Sequence, residues 1–396
     1  MFLDPLRRRN APFLEAVISL HQSGELPPNS YAIDLDAVRA NAAATRAEAD
    51  RLGLEVFAMT KQVGRAPGFV RAVVDAGITA GVAVDMADAR ALARSGLAVG
   101  HLGHLVQVPQ AQAVAAAALD PWNWTVFSDD KAREAAGASG SAGREQALLA
   151  RIQAAGDTFY EGHEGGFDAD DVLRVAERLD SLVGARFAGV TTFPALLFDA
   201  DSGEVRPTSN LSTLERSAER LRAAGVGEVR VNAPGTTSCA VFGLLADHGA
   251  TQVEPGHGLT GTTPLHALRD LVELPAVCYV TEVSHLHGGR AYAFGGGLYI
   301  DPVFPDYPLR ALLADAPGLD DARVVHATIP PPEAIDYYGQ LDYEEKAPRT
   351  GATVVFGFRI QAFVTRASVA AIDGVAVGAP RVAGIWAPNG EEAQWP

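Results

Sequence analysis

Residues 54–84 read LEVFAMTKQVGRAPGFVRAVVDAGITAGVAV. The stretch opens on a short apolar run, breaks at Thr60-Lys61, and resumes after a Gly-Arg-Ala-Pro turn as PGFVRAVVDAG, whose apolar positions recur at helical spacing. A second apolar run, ITAGVAV, follows the closing glycine. Two strands without a polar face, joined by an amphipathic helix, form the βαβ unit of a parallel sheet buried on both sides. The alternation continues to residue 253. Further strands are expected at AVGHLG (98–103), NWTVF (123–127), ALLARIQ (147–153), ARFAGVTT (185–192), EVRV (228–231) and ATQV (250–253). Helical stretches such as MADARALARSG, VPQAQAVAAAAL and TLERSAERLRAAG lie between them. Eight such strands in succession predict an α/β fold built on a (β/α)8 TIM barrel. No GxGxxG follows the first strand, which argues against a doubly wound open sheet.

From about residue 273 the pattern changes to β-branched and aromatic alternation, as in AVCYVTEVSHLH, GRAYAFGGGLYI and TVVFGFRIQAFVTRASVAAI, punctuated by FPDYP and IPPPEA. This predicts a second, mostly antiparallel β domain. Near the start, NAPFLEAVISLHQSG reads as a helix and SYAIDLD as a strand before the long helix DAVRANAAATRAEADRLG. The expected division is 1–35, an N-terminal helix and strand associated with the β domain, then 36–270, the barrel, and 271–396, the β domain.

Composition narrows the partners. The chain has 396 residues, is 48% hydrophobic and 20% charged, and carries a formal net charge of −16, so it is globular and lacks the basic excess that nucleic acid or an anionic membrane would call for. No apolar run reaches the ~20 residues of a membrane span. Arg7-Arg8-Arg9 is not followed by a long apolar segment, so no signal peptide is expected. With only Cys239 and Cys278, no disulfide framework is expected, and a cytoplasmic setting is the default.

Only three of the 32 basic residues are lysines. Lys131 sits in the polar helix start SDDKAREAAG and Lys346 in the charged loop DYEEKAPR, whereas Lys61 directly ends an apolar strand. An amine losing solvation at a strand end becomes a usable nucleophile, although a snorkelling lysine is the plain alternative. In a barrel, function gathers at the carboxyl ends of the strands. Those ends carry Lys61, Asp85, His104, Gln107, Arg151, Gln153, Thr191, Thr192 and Phe193, then NAPGTTS (232–238), and finally Glu254 of QVEPGHGLTGTT. The loops 235–238 and 256–263, rich in glycine and threonine, follow strands seven and eight, where this fold often holds a phosphate. Either loop alone would read as a simple turn.

A sheltered amine, a carboxylate and a phosphate cradle are the three needs of pyridoxal 5′-phosphate (PLP). Its aldehyde condenses with a lysine, its phosphate takes N–H donors, and a carboxylate beside its ring nitrogen keeps that nitrogen protonated. On this reading Lys61 is the Schiff-base lysine and Glu254 the ring-nitrogen partner. Asn232, Gly235, Thr236, Thr237, Ser238, Gly256 and His257 surround the cofactor, and Phe193 stacks on its ring. No metal ligand set is assigned.

These residues resemble the fold-type III PLP enzymes, which include alanine racemases and the ornithine and diaminopimelate decarboxylases. YAIDLDAVRAN (31–41) is similar to the alanine racemase opening, and Lys61 matches the family's PLP lysine. Glu254-Pro255-Gly256 is similar to the glutamate, proline, glycine of the decarboxylases, where alanine racemases carry arginine. FGGGLYIDP (294–302), IDYYG (335–339) and FGFRIQAFVTRA (356–367) resemble the YhfX-type branch of the alanine racemase-like family. KQVGRAP stands where alanine racemases have Lys, Ala, Asn, Ala, Tyr, Gly, His, and Phe193 stands where the family often places a histidine over the ring.

The resemblance implies a small-molecule amino-acid substrate, a homodimer, and racemisation through a Cα carbanion. The second acid–base group would be a β-domain tyrosine from the partner subunit. Tyr337 and Tyr338 are the candidates for this role, with Tyr292 and Tyr299 also in that domain. Decarboxylation, or aldolase or dehydratase chemistry, is the alternative on the same scaffold. His285-x-His287, Cys239, Arg359 and Arg366 are noted beside it, each with a structural explanation. A non-catalytic PLP carrier is a third reading, disfavoured by the extra β domain.

Overall fold

The computed structural model describes residues 2–299, 301–304, 306–344 and 346–395. Ile300, within the 294–302 motif, lies outside them. Packing divides the chain into two units, residues 45–59 with 77–256, and residues 1–44 with 60–76 and 257–396.

The first unit is the barrel. Its strands are Glu55–Val56 continued by Ala58–Met59, then Ala80–Ala83, Ala98–Leu102, Asn123–Val126, Gln146–Gln153, Ala185–Thr191, Arg230–Asn232 and Gln252–Val253. Every neighbouring pair is parallel. Closure runs through the first strand. Glu55 and Val56 pair with Gln252 and Val253, while Ala58 and Met59 pair with Gly81 and Val82. The Phe57 and Met59 amides continue the seam by donating to the Val253 and Pro255 carbonyls at 3.0 and 2.9 Å.

Each expected strand is present, and helices such as Met86–Arg94, Asp129–Ser141, Val172–Asp180 and Ser209–Ala223 connect them. Phe57, Met59, Ala80, Val82 and Val84 form one apolar cluster. Gly100 makes room for it, since a Cβ there would lie 2.3 Å from the Phe57 ring. A small antiparallel ribbon, Leu196–Asp199 with Glu204–Pro207, is inserted after the sixth strand.

The second unit is built on a nine-stranded sheet. Its order is Arg290–Phe294, Tyr338–Asp342, Arg323–Thr328, Arg310–Ala314, Thr353–Phe356, Val277–His287, Ser30–Asp34, Ser368–Asp373 and Arg381–Trp386. The long strand Val277–His287 also pairs with Arg290–Phe294, which closes the first six strands on themselves. All neighbours are antiparallel except Ser30–Asp34 with Ser368–Asp373. Helices Leu3–Arg9 and Ala11–Gln22 bury Leu6, Phe13, Leu14, Val17 and Ile18 against Val280, Leu312, Val355 and Ile372 of this sheet. Cys278 is buried in the same core and neither cysteine forms a disulfide.

Candidate active site at the strand ends

Glu254 follows the eighth barrel strand and is buried. Its Oε1 accepts two hydrogen bonds, from His101 Nδ1 at 2.5 Å and from Asn232 Nδ2 at 2.9 Å. Both donors are held in turn. His101 Nε2 meets Thr125 Oγ1 at 2.5 Å, and the Thr191 hydroxyl donates to Asn232 Oδ1 at 2.7 Å. Five strands therefore contribute to one polar layer inside an otherwise apolar barrel, because His101, Thr125, Thr191 and Asn232 each lie on a strand whose neighbours are fully buried.

The other oxygen, Oε2, has His104 Nε2 at 3.5 Å and no hydrogen-bond partner among the described residues. Burial alone would raise the Glu254 carboxyl. The charges of His104 and His101 and the hydrogen bonds from His101 and Asn232 override it and bring the carboxyl down to about 2. The side chain is a carboxylate at neutral pH with one acceptor oxygen open, the state that would receive a protonated ring nitrogen.

His101, His104 and Glu254 also place three ligand-type atoms within 4.8 Å of one another, close enough to hold a metal ion. The 2.5 Å contact between His101 and Glu254 is a hydrogen bond, shorter than the spacing two ligands of one zinc-type ion would keep at ~2 Å from the metal. As folded, the cluster is a proton-bearing network.

The loop after the seventh strand carries the second feature. Gly235 has φ +133° and Thr236 φ +42°, and a Cβ on Gly235 would lie 2.7 Å from the Leu196 carbonyl oxygen. This tight turn delivers Ser238 to the N-cap of helix Cys239–Asp247. Ser238 is buried, its backbone is extended as a cap requires, and its Oγ has no hydrogen-bond partner. A buried open hydroxyl at the N-terminus of a helix fits a phosphate. Thr237 Oγ1, by contrast, bonds the Gly235 carbonyl at 3.3 Å.

The loop after the eighth strand spends its hydroxyls internally. Thr260 Oγ1 and Thr262 Oγ1 lie 2.7 Å apart, and Thr263 forms a capping box with His266 for helix Pro264–Leu268. Gly261, at φ +62°, packs under the Leu274 carbonyl, where a Cβ would lie at 2.2 Å. His257 donates from Nε2 to the Ile360 carbonyl at 2.8 Å, and burial followed by the Arg359 charge brings its pKa down to about 3, so it is neutral.

Lys61 comes two residues after Met59 and opens the 3-10 turn Lys61–Val63. Its Nζ lies 5.5 Å from the Phe363 ring centroid. Lys131 is tied down elsewhere, to the Val108 carbonyl at 2.9 Å and Glu134 at 2.6 Å. Phe193 stands edge-on to His104 at 5.4 Å. Tyr337 and Tyr338 are 60% and 40% exposed. Arg366 covers Tyr337, and His285, Tyr292 and Phe294 surround Tyr338. Asp85 and Gln107 serve the scaffold: Asp85 caps helix Met86–Arg94, and Gln107 bridges the Thr125 carbonyl and the Phe127 amide.

Residues 33–264 match the family model for the alanine racemase N-terminal domain, and residues 278–382 match that for the YhfX-like C-terminal domain. The chain belongs to the alanine racemase-like family. This alanine racemase-like chain is 36% identical over 390 residues to uncharacterized protein YhfX of Escherichia coli (strain K12), covering 97% of each. Among solved structures it is similar to D-threonine aldolase from Filomicrobium marinum, with a TM-score of 0.67 at 18% identity over 92% of this chain and 96% of that one. It is also similar to alanine racemase of Clostridium difficile 630 in complex with cycloserine, with a TM-score of 0.64 at 16% identity over 91% and 98%. D-threo-3-hydroxyaspartate dehydratase from Delftia sp. HT23 gives a TM-score of 0.62 at 17% identity over 92% and 97%. At these identities the solved structures share the fold, and their chemistries span isomerase and lyase classes. No helix among the described residues is long and apolar enough to cross a membrane.

Proposed function

We propose that this chain is a PLP-dependent amino-acid racemase or epimerase, acting as a homodimer on a small amino acid in the cytoplasm. The observation that carries the proposal is Glu254, a buried carboxylate held ionised with one oxygen open. An aliphatic core gains nothing from such a group, and its desolvation is supported only where it holds a cation or an N–H. When bound, PLP supplies an aldehyde that takes up the substrate amine and a ring that withdraws electrons from the substrate Cα.

The chain's own residues supply the rest. Glu254 Oε2 would hold a proton on the ring nitrogen, and His101 and Asn232 fix the carboxylate in place. Ser238 and the N-terminus of helix Cys239–Asp247 would hold the phosphate, with Gly235, Thr236 and Thr237 shaping that turn. Gly256 and His257 would border the cofactor, and Phe193 would pack against its ring. Lys61 would anchor the aldehyde and would move a proton at one face of the substrate Cα. Tyr337 or Tyr338 of the partner subunit serves the opposite face.

The second reading is a lyase, either a decarboxylase or an aldolase or dehydratase. Glu254 supports it equally, because a firmly protonated ring stabilises negative charge at Cα whichever bond is broken. Incubation with a panel of D- and L-amino acids in heavy water separates the two. Deuterium at Cα with inversion and no loss of substrate supports the racemase; carbon dioxide or an aldehyde or keto acid in stoichiometric yield sinks it in favour of the lyase. A cofactor-loaded protein that does neither is a carrier.

A further inference from the structure

His104 takes no part in the cofactor assignment, yet it faces the one oxygen that assignment uses. It stands two residues beyond the strand Ala98–Leu102, is 2% exposed, and presents Nε2 to Glu254 Oε2 at 3.5 Å. The ring of His101 meets its ring edge-on at 5.3 Å, and that of Phe193 meets it edge-on at 5.4 Å. No hydrogen bond reaches Oε2 among the described residues.

The two histidines serve different oxygens. His101 has both ring nitrogens matched within the fold, Nδ1 with Glu254 Oε1 and Nε2 with Thr125 Oγ1. His104 is set against the other oxygen, at a distance where its charge acts but no hydrogen bond forms. A buried carboxylate persists only with a cation or a full set of donors around it. At Oε2, in the ligand-free chain, His104 is the group placed to meet that need. Burial works against the Glu254 carboxylate, and among the charges that override it His104 comes first, ahead of His101.

A protonated ring nitrogen donating to Oε2 would stand on the oxygen that His104 faces. Two cations would then meet at one buried carboxylate, and like charges in such a place do not both survive. The imidazole is the one to yield. Its ordinary titration lies close to neutrality, and at 3.5 Å it draws less from the carboxylate than a directly bonded N–H would. The other charged and titratable groups around His104 are engaged elsewhere. His101 is tied to Oε1, and Tyr160 and His163 lie against Phe193, at 5.8 and 6.0 Å from its ring. The Arg151 guanidinium is turned to the His163 and Phe193 carbonyls, and Asp88 of helix Met86–Arg94 accepts from the Val84 amide.

We infer that His104 carries a proton opposite Glu254 in the ligand-free chain and releases it to solvent when a protonated ring nitrogen takes Oε2. The Nε2–H bond breaks, its electron pair stays on Nε2, and the proton passes to water, so Oε2 faces one cation in either state. His104 acts through Glu254 and is a positioning residue: its charge holds the carboxylate ionised until the ligand's own charge replaces it. The inference rests on the reading of Glu254 as the ring-nitrogen partner.

The probe is pyridoxine 5′-phosphate, which has the ring nitrogen and phosphate of the cofactor but no aldehyde, so Lys61 does not enter the measurement. NMR of the chain labelled with 13C-histidine, at about pH 6.5, reads the charge of its ten imidazoles directly. The His104 signal is the one missing from His104→Gln, and its ring contact with Phe193 identifies it in the wild type should that variant fold poorly. The expected result is a signal at the charged position in the ligand-free chain that moves to the neutral position on saturation, while inorganic phosphate leaves it in place. Titration calorimetry in two buffers of different ionisation enthalpy should show about one more proton released by the wild type than by His104→Gln. Four results overturn the inference and leave the cofactor reading standing: a His104 that stays charged with the probe bound, one that is neutral from the outset, one moved as far by inorganic phosphate, or equal proton release in wild type and variant. A probe that does not bind overturns the cofactor reading and this inference with it.

Discussion

His101 Nδ1 and Glu254 Oε1 are joined at 2.5 Å inside the barrel, and the same oxygen takes the amide of Asn232. Two donors on one oxygen leave the other free to act, so the bond sets both the ionisation and the direction of the carboxylate.

The first expectation concerns acid. Glu254 titrates near 2 in the folded chain against an ordinary value of 4.5. A folded pKa below the unfolded one stabilises the protein above pH 4.5, and that contribution is lost as the pH falls toward 2. It is on the order of 3 kcal/mol at neutral pH. Denaturant unfolding at pH 7 and pH 3 should show a steeper loss of stability for the wild type than for Glu254→Gln. Parallel losses would show that the carboxylate is not held ionised by the fold.

Replacing His101 tests the network from its other end. In His101→Phe the Glu254 carboxylate loses one hydrogen bond and one source of positive charge, so its pKa rises. A loss of 2–4 kcal/mol in stability is expected at pH 7 by denaturant melts, as for a buried pair deprived of one member. His101→Asn, which can still donate, should recover part of it.

Ser238→Ala removes a buried hydroxyl that has no partner in the folded chain. The ligand-free protein should be as stable as the wild type or slightly more so, while PLP binding weakens by about tenfold, the worth of one hydrogen bond to a charged group. Calorimetric titration reads both the affinity and the unchanged fold. Unaltered affinity would move the phosphate elsewhere.

Gly235→Ala should destabilise the chain by about 1–3 kcal/mol, since φ is +133° and the added Cβ lies 2.7 Å from the Leu196 carbonyl oxygen. Thermal melts measure this directly, and PLP affinity should fall with it.

Lys61→Ala should abolish the visible absorbance of lysine-bound PLP, and Lys131→Ala should retain it, because Lys131 is committed to the Val108 carbonyl and Glu134. Absorbance spectra of the two purified variants after incubation with PLP decide the matter.

The barrel was legible because its strands are uniformly apolar and its helices are not, so the change of period marks each boundary. Glu254 was legible for the same reason, as a charge where an apolar run stops. His101 was not singled out. It lies inside AVGHL, and attention falls on His104 beyond the strand end, where loops carry function. The available signal was chemical: a histidine within a strand buried on both faces must find a hydrogen-bond partner. Thr125 is the same kind of residue in the same kind of strand, while Asn232 was named for the cofactor's surroundings but not as a donor to Glu254. Arg151 could be placed at a strand end from sequence, but its hold on the His163 and Phe193 carbonyls depends on how the next loop folds back, and that is decided by tertiary contacts. The two Gly/Thr loops look alike in sequence; only the fold separates the open hydroxyl of Ser238 from the mutually satisfied Thr260 and Thr262.

Strand Ser30–Asp34 lies between Val277–His287 and Ser368–Asp373. Both of its neighbours leave the ribosome more than two hundred residues after it does, so during synthesis this segment waits with both backbone edges unpaired. Completion of that sheet is a late, long-range event. Translation halted before residue 368 should yield a nascent chain that holdase chaperones retain, and release should coincide with emergence of strand Ser368–Asp373.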